Sequence, residues 1–233
     1  METPAGKVGF PDIEWRRETF HKNVLERTQW IYDRLADIYP ISTFFFHSRA
    51  HRCALEMSGI KDGMRVLEVA TGSGEMFRRL VKANRSGQTI GVDLSARMAA
   101  RTQRTTREMF PGSETHCQAV DARHLPFADA SFDAVVCCFM LELLADEEDI
   151  QRTLSEFKRV LRRRGSLTLV LIGQNTELFN RVYRIAGSVA PAFWGRQVEQ
   201  RVPGWIKRCG FRIMGDRTVR QSGYPSRVLA AKK

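Results

Sequence analysis

A glycine-rich turn between a short apolar segment and an amphipathic one constrains this chain more than any other feature. Residues 66–76 read VLEVATGSGEM, which predicts a strand, a tight turn at Gly72 and Gly74, and then a helix from about Glu75 to Ala83. Glycines let the backbone approach a ligand closely, and the first N–H groups of a helix have no partner within that helix. The segment therefore predicts a cradle for a nucleotide-type cofactor.

The rest of the chain alternates predicted strands with predicted helices. Further strands are predicted at 88–92, 115–120, 132–139, 166–172, 211–217 and 227–231, and helices at 95–110, 146–161 and 202–209. Ser95 is predicted as an N-cap and Arg164-Gly165 as a turn. This alternation predicts an α/β fold, a doubly wound, mostly parallel seven-stranded sheet of Rossmann-like type. The carboxyl ends of its parallel strands meet at one edge, where ligands bind.

Helical segments outside this pattern predict a lid. Residues 1–58 are predicted as an N-terminal helical lid, with an apolar cluster at 44–46 and a helix at 47–58. Residues 12–38 are predicted as one or two amphipathic helices closed by Pro40, with a membrane anchor as the alternative to a lid. Residues 59–233 form the predicted cofactor-binding domain, with a lid insertion at about 174–200. The aromatic residues of both lid regions are predicted to line an apolar pocket or a lipid-facing surface, with ordinary core packing as the alternative: Phe44, Phe45, Phe46, Phe179, Tyr183, Phe193 and Trp194.

Charge and cysteine content bear on partners and location. The formal net charge is +11, which favours anionic partners such as a membrane surface, although the arginines are spread along the chain as on a generally basic surface. No run approaches the roughly 20 apolar residues of a membrane-spanning helix. The five cysteines form no C-x-x-C pair. We predict a cytoplasmic protein that can contact an anionic membrane peripherally.

The turn itself narrows the choice of cofactor. A dinucleotide fingerprint needs a third glycine, G-x-G-x-x-G, so that the helix can pack closely on the strand. Phe77 stands at that third position, and no G-K-[ST] follows as in a P-loop. Both observations argue against the commonest nucleotide cofactors.

The motif Glu68-x-x-x-Gly72-x-Gly74, with Asp93 and Asp121 ending the next two predicted strands, resembles the class I S-adenosylmethionine-dependent methyltransferases. The resemblance implies S-adenosylmethionine as cofactor, with Asp93 on the ribose hydroxyls and Asp121 beside the adenine. The full set of implied cofactor residues is Glu68, Ala70, Thr71, Gly72, Gly74, Met76, Asp93, Leu94, Met98, Asp121, Ala122 and Phe139.

Within the family, Tyr32-Asp33-x-x-Ala36-x-x-Tyr39 and residues 66–74 resemble the ubiquinone and menaquinone C-methyltransferases, while residues 127–133 and 159–165 resemble the wider small-molecule and lipid methyltransferases. The chain departs from the quinone enzymes at two places. Pro40 stands where they usually have an aspartate, and residues 138–143 replace their arginine-asparagine segment, which argues against a quinone acceptor. The D/N-P-P-Y motif of nucleic-acid methyltransferases is missing, so no nucleic-acid partner is expected. The apolar and aromatic lid residues, together with the positive charge, lead to the hypothesis of a hydrophobic or amphipathic acceptor, such as a phospholipid amine, a prenylated ring or a polyketide-like aromatic.

Methyl transfer depends mainly on positioning and desolvation, because the cofactor supplies the reactive group. Candidate catalytic residues are Glu142, His47 and Tyr39. The candidates for a base are Glu142 and the pair His47 and His51, which lie at i and i+4 on one predicted helix. His47 and His51 have the helical spacing of a metal pair, but no third ligand accompanies them, so no metal site is predicted. A peripheral membrane protein or cofactor sensor on the same scaffold, and an NAD(P)-dependent oxidoreductase, are the alternatives.

Overall fold

The computed structural model describes residues 39–174 and 198–233. Its helices are α1 (Tyr39–Ser58), α2 (Glu75–Ala83), α3 (Ala96–Met109), α4 (Glu147–Val160) and α5 (Val202–Arg208). Its strands are β1 (Arg65–Val69), β2 (Gln88–Asp93), β3 (Glu114–Ala119), β4 (Phe132–Cys138), β5 (Leu161–Ile172), β6 (Arg212–Gln221) and β7 (Tyr224–Lys232). The predicted helix at 12–38 and the lid residues Phe179, Tyr183, Phe193 and Trp194 lie outside the described residues.

The seven strands form one sheet in the order β3-β2-β1-β4-β5-β7-β6. Strands β1 to β5 are parallel, whereas β7 runs antiparallel between β5 and β6. The predicted α/β fold with a mostly parallel seven-stranded sheet is therefore confirmed. The β6–β7 connection is a two-residue hairpin turn, in which Ser222 and Gly223 both have positive φ, as tight hairpins require.

Apolar side chains of the central strands point to both faces of the sheet, and each face is covered by helices. Val66 packs with α1 and α2 on one face, while the next residue, Leu67, packs with α4 and α5 on the other. Strand β4 is apolar along most of its length because both of its faces are covered. The core therefore lies in two layers, and the carboxyl ends of β1, β2, β3 and β4 share one edge.

Helix α1 corrects one prediction at the N-terminal side, that of an apolar cluster separate from the helix. It runs without a break from Tyr39 to Ser58, so residues 44–46 belong to it, whereas a separate cluster ahead of a helix starting at His47 was predicted. Pro40 lies in its first turn, which accepts proline because the first N–H groups of a helix have no intrahelical acceptor. The helix packs against α2 and against β5, β6 and β7. The division of the chain at residues 58 and 59 stays a prediction.

The predicted turn at Arg164-Gly165 is instead an irregularity inside β5. Pairing between β4 and β5 breaks between Leu161 and Ser166, and Arg164 has a φ of 64° at that point. The strand resumes in regular register from Ser166. In residues 39–174 and 198–233, no helix is long and apolar enough to cross a membrane, and no cluster of three potential metal ligands occurs.

Candidate functional site

The connection between β1 and α2 is a tight turn built on left-handed backbone. Ala70, Gly72 and Gly74 have φ values of 65°, 47° and 73°. The Ala70 N–H donates to Val92 O at 2.8 Å, which ties the end of β1 to the end of β2. A Cβ on Gly74 would lie 2.8 Å from Thr102 Oγ1. Only glycine therefore fits at that point, where the turn backbone passes close to α3.

Asp93 holds this turn to the end of β2. Its Oδ2 accepts a hydrogen bond from Gly72 N at 2.7 Å, and its Oδ1 accepts one from Ser95 N at 2.9 Å. Ser95 in turn caps α3, because its side chain accepts a hydrogen bond from Met98 N at 3.1 Å. The predicted N-cap is thus confirmed, and the Asp93 carboxylate is fixed at the sheet edge.

Phe77, the residue that replaces the third glycine of a dinucleotide motif, belongs to α2 and is fully buried. Its ring occupies space above β2 that exists because residue 91 is a glycine. A Cβ on Gly91 would lie 2.9 Å from Phe77 Cε2 and 2.6 Å from Thr71 Cγ2. Sequence reasoning missed Gly91, although an isolated glycine inside an apolar strand is a known sign of close packing.

Glu68 lies on β1 directly beneath the turn and is 1 % exposed. Burial, and then the nearby Asp93, raise the pKa of its carboxyl well above the ordinary value, while Arg78 opposes them. Within residues 39–174 and 198–233, no hydrogen-bond donor reaches its Oε2. A buried acceptor of this kind can take a hydrogen bond from a bound ligand.

A cleft of about 320 Å³ opens beside the turn. It is lined by His47, His51, Glu68, Ala70, Thr71, Gly72, Ser73, Met76, Cys138 and Phe139. The His47 ring stacks on Phe139, with centroids 4.2 Å apart and planes 28° apart, and the Tyr224 ring lies 5.0 Å from His47. Phe139 is held in this position by a left-handed backbone with a φ of 53°. The cleft therefore has a polar floor made by the turn and an aromatic wall made by α1 and the end of β4.

The two histidines of α1 differ in their surroundings. Burial, followed by the charge of His51, lowers the pKa of His47 to about 3, although Glu75 partly opposes this. The His51 Nδ1 lies 3.4 Å from Glu75 Oε2. Burial alone would raise the pKa of Glu75, but its interactions with His51 and Arg79 outweigh burial and lower it to about 2. His47 is therefore neutral at physiological pH, and His51 faces a carboxylate.

The end of β3 carries a second carboxylate, Asp121, which is paired with Arg123. The Arg123 Nη2 lies 2.7 Å from Asp121 Oδ2, and its Nη1 lies 2.9 Å from Asp149 Oδ1. Burial raises the pKa of Asp121, but the hydrogen bonds from Arg123 outweigh it and leave the pKa below its usual range. Sequence reasoning missed this clamp, since Asp149 comes from a helix 28 residues further along the chain.

Glu142, predicted as a base at the edge of the site, lies in a 3-10 turn (Leu141–Leu143) after β4. Its Oε1 accepts a hydrogen bond from Ile172 N at 2.7 Å, and it is not among the residues that line the cleft. Burial raises its pKa from 4.5 to about 7, with a further contribution from Glu199. Tyr39, the third candidate, is the first residue of α1; its side chain lies outside what the structure describes.

The structure thus brings together most of the predicted cofactor residues. Glu68, Ala70, Thr71, Gly72, Met76 and Phe139 line the cleft. Gly74 is the N-cap of α2, and Leu94 directly follows Asp93. The buried Met98 donates its backbone N–H to the Ser95 side chain. Asp121 and Ala122 follow β3 at the same edge. Their individual roles as cofactor contacts stay predictions.

Comparison with known proteins places this geometry in a family. A family model described as a methyltransferase domain matches residues 66–165. The demethylmenaquinone methyltransferase of Staphylococcus saprophyticus is 30% identical over 176 residues, which cover 75% of this chain and 71% of that protein. The chain belongs to the class I S-adenosylmethionine-dependent methyltransferases. Within them it falls in the branch of the ubiquinone and menaquinone C-methyltransferases.

Two further comparisons extend the family assignment. The 2-phytyl-1,4-naphtoquinone methyltransferase of Trichormus variabilis is 32% identical over 139 residues, 57% of this chain and 58% of that protein, so the match spans less than two thirds of its length. A structure of a SAM dependent methyltransferase from Aquifex aeolicus has a TM-score of 0.64 at 19% identity, covering 86% of this methyltransferase and 97% of that chain. The structural match supports the fold.

Family membership gives S-adenosylmethionine as the cofactor, and the residues at the turn fit it. The orphaned Glu68 Oε2 is an acceptor for an ammonium group, and the left-handed turn brings backbone to the cleft. The resemblance places the ribose at Asp93 and the adenine near Asp121. When bound, the cofactor supplies an electrophilic methyl group on a sulfonium. The methyltransferase itself contributes a cleft with the stacked rings of His47 and Phe139 along one side.

Proposed function

We propose that this methyltransferase acts on a hydrophobic or amphipathic small molecule or lipid, and that a prenylated aromatic ring is its most fitting acceptor. The aromatic wall of the cleft carries this proposal. His47, Phe139 and Tyr224 form a contiguous set of rings beside the cofactor turn. Flat apolar surfaces of this kind favour planar ligands, which stack on them in offset or edge-to-face geometry.

The named relatives support the same acceptor class. Their names refer to demethylmenaquinone and to 2-phytyl-1,4-naphtoquinone, both ring compounds with apolar tails. The departures at Pro40 and at residues 138–143 lie at the entrance to α1 and at the end of β4, which are the elements that form the aromatic wall. We infer that the acceptor ring differs from that of these relatives, while its apolar character is retained.

A labelled-methyl assay tests this proposal. The purified chain is incubated with isotopically labelled S-adenosylmethionine and a panel of three acceptors: a reduced short-chain prenylated demethylnaphthoquinone, vesicles of phosphatidylethanolamine, and a polyhydroxylated polyketide-like aromatic. We expect labelled product from an aromatic acceptor by mass spectrometry, and none from Asp93→Ala, whose binding of S-adenosylhomocysteine is measured in parallel by calorimetry. Binding of S-adenosylhomocysteine without turnover of any acceptor would instead support the cofactor-sensing alternative.

We further propose that the methyltransferase reaches lipid-borne acceptors at an anionic membrane surface, because its net charge is +11. Activity on acceptors carried in anionic vesicles should then fall as the salt concentration rises, since salt screens exposed charges. Truncating the predicted lid aromatics, Phe179→Ala or Trp194→Ala, should lower it as well. Activity that is unchanged in both tests would contradict membrane contact and leave methyl transfer intact.

A further inference from the structure

We propose that His51 is the general base that removes a proton from the acceptor, and that Glu75 is the residue that positions it. This inference rests on the proposed methyl transfer and narrows its acceptor to a hydroxylated aromatic ring. His51 belongs to α1, lines the cleft, and is 4 % exposed. It lies on the same side of the cleft as the aromatic wall, with its ring centroid 6.0 Å from that of Phe139.

The contact between His51 and Glu75 selects one ring nitrogen. The Nδ1 lies 3.4 Å from Glu75 Oε2, an ion-pair contact longer than a well-formed hydrogen bond, and neither atom has a hydrogen-bond partner among the described residues. A carboxylate can only accept a hydrogen bond. The carboxylate therefore favours the tautomer that is protonated at Nδ1, which leaves the lone pair on Nε2. Carboxylate–histidine pairs of this kind orient the base and stabilise the imidazolium that forms when it takes a proton.

Glu75 is itself fixed from the other side. Arg79, one helical turn along α2, donates from Nη2 to Glu75 Oε1 at 2.8 Å and from the same nitrogen to Ser48 Oγ at 2.8 Å. Ser48 belongs to α1, so this chain of contacts ties α2 back to the helix that carries His51. The carboxylate is thus held between two partners, and its orientation toward the imidazole does not depend on a bound ligand.

The other two candidate bases, His47 and Glu142, are less suited to take a proton from the acceptor. Burial and the neighbouring imidazole lower the pKa of His47 to about 3, which leaves it a weak base at neutral pH. Glu142 is engaged with Ile172 N and does not line the cleft. His47 therefore serves as part of the wall, and the histidine one helical turn after it serves as the base.

The titratable groups around His51 come from four elements. Glu75 and Arg79 come from α2, His47 from α1, Glu68 from β1 and Cys138 from β4. The Arg79 charge is paired with Glu75, and His47 is neutral. Burial keeps the pKa values of Glu68 and Cys138 raised, which favours their uncharged forms. The Glu75 carboxylate is consequently the charge that acts on the imidazole.

The proposed step is a proton transfer from the acceptor to His51 within the cleft. The bond between oxygen and hydrogen in a ring hydroxyl of the acceptor breaks, and a bond forms between that hydrogen and His51 Nε2. The electron pair stays on the acceptor as a phenolate, whose oxygen or adjacent ring carbon becomes the nucleophile. If the ring carbon is methylated, the hydrogen that it carried leaves as a proton to water, and its bonding electrons restore the aromatic ring. The imidazolium returns its own proton to water after the product leaves. An acceptor without an acidic hydroxyl would not use this base.

Nuclear magnetic resonance of the full chain, labelled with 15N-histidine, tests the pair without any acceptor. We expect the His51 signals of the neutral imidazole to report protonation at Nδ1, and this preference to be lost in Glu75→Gln. Assignment comes from the signal that is missing in His51→Asn. Protonation of His51 at Nε2 in the wild-type protein would overturn the proposal whatever the acceptor is.

Kinetics test the same pair in turnover with a reduced demethylnaphthoquinone as the acceptor probe. We expect His51→Gln to lower kcat by about 100-fold or more and Glu75→Gln to lower it by about tenfold, with KM and the Kd for S-adenosylhomocysteine unchanged. Matched controls on exposed positions, His124→Gln and Glu148→Gln, should leave kcat unchanged. A kcat of His51→Gln within threefold of wild type would refute the base while leaving the proposed function standing.

Failure of the wild-type protein to methylate any hydroxylated ring would count against the proposed acceptor, and the tautomer measurement would still decide the His51–Glu75 pair. Circular dichroism and S-adenosylhomocysteine binding establish that each variant is folded. If His51→Gln does not fold, the kinetics of Glu75→Gln and the tautomer measured in the wild-type protein still test the proposal.

Discussion

Gly91 offers the sharpest test of how the cofactor turn is built. A Cβ at this position would lie 2.6 Å from Thr71 Cγ2, 2.9 Å from Cys117 Sγ and 2.9 Å from Phe77 Cε2, whereas ordinary contacts of a Cβ are 3.4–4 Å. The three neighbours come from the turn, from β3 and from α2. No single movement of one side chain can therefore relieve all three contacts.

The cost of Gly91→Ala follows from this crowding. Adding one methyl group to a well-packed core costs about 1 to 3 kcal/mol, and three short contacts on separate elements put this case at about 2 to 3 kcal/mol. In a chain of this size that corresponds to a fall in Tm of about 4 to 12 °C. Because Thr71 belongs to the cofactor turn, affinity for S-adenosylhomocysteine should fall in parallel.

Urea unfolding at 25 °C, together with calorimetric titration of S-adenosylhomocysteine, measures both effects. Gly112→Ala is the matched control, since a Cβ there meets nothing within 4 Å. Combining Gly91→Ala with Phe77→Leu should recover part of the loss, because the shorter side chain vacates the ring position. A free energy of unfolding for Gly91→Ala within about 0.5 kcal/mol of wild type, the usual range of substitutions away from packed features, would refute the packing argument.

Three further predictions concern stability. The folded-state pKa of Glu142 is raised from 4.5 to about 7, so between these values the folded chain holds a proton that the unfolded chain releases. The free energy of unfolding of the wild type should therefore fall by up to about 3 kcal/mol as the pH rises through this window. Glu142→Gln should remove that loss in urea titrations at pH 5 and pH 8. Arg123→Met removes the ion-pair partner of Asp121 and of the buried Asp149 and should lower the free energy of unfolding by about 3 kcal/mol at pH 7. The difference should shrink at low pH, because protonation of Asp121, whose folded-state pKa lies below its usual range, removes its attraction to Arg123. Ser95→Ala should cost about 1 kcal/mol in urea unfolding through the lost cap of α3, and Ser95→Asn should retain most of it.

Each of the three stability predictions can be contradicted by a specific result. An equal pH dependence in wild type and Glu142→Gln would mean that the buried carboxyl does not hold its proton. An Arg123→Met difference that persists unchanged at low pH would point to lost packing instead of lost charge pairing. A Ser95→Asn variant as unstable as Ser95→Ala would show that the hydroxyl acts elsewhere than at the cap.

Features set by neighbouring residues were predictable from the sequence. The bounds of α2, Glu75 and Ala83, follow from the glycine turn before it and from the helical spacing of its apolar residues, and the structure has the same bounds. The Ser95 cap depends on a residue three positions later and was likewise predicted. Local signals of this kind need no knowledge of how the chain folds back on itself.

Features that join distant parts of the chain were not predictable. The Arg123 clamp reaches Asp149 from another element, and the contact between His51 and Glu75 spans two helices. The sequence predicts His47 and His51 on one helix, yet it cannot say which of them meets a carboxylate. Pro40 lies in the first turn of α1, a position that suits proline, and its predicted role in closing the helix at 12–38 lies outside the described residues.

The position of β7 in the sheet has a consequence for how the molecule is completed. This strand lies in the sequence after all the others, yet in the sheet it is interior, hydrogen-bonded to β5 on one side and to β6 on the other. As the chain is synthesised, β6 emerges before the neighbour that attaches it to the rest. A premature stop within residues 224–232 would therefore remove an interior strand of the sheet and leave β6 without its neighbour. The cofactor edge at β1, β2 and β3 would keep every one of its pairings.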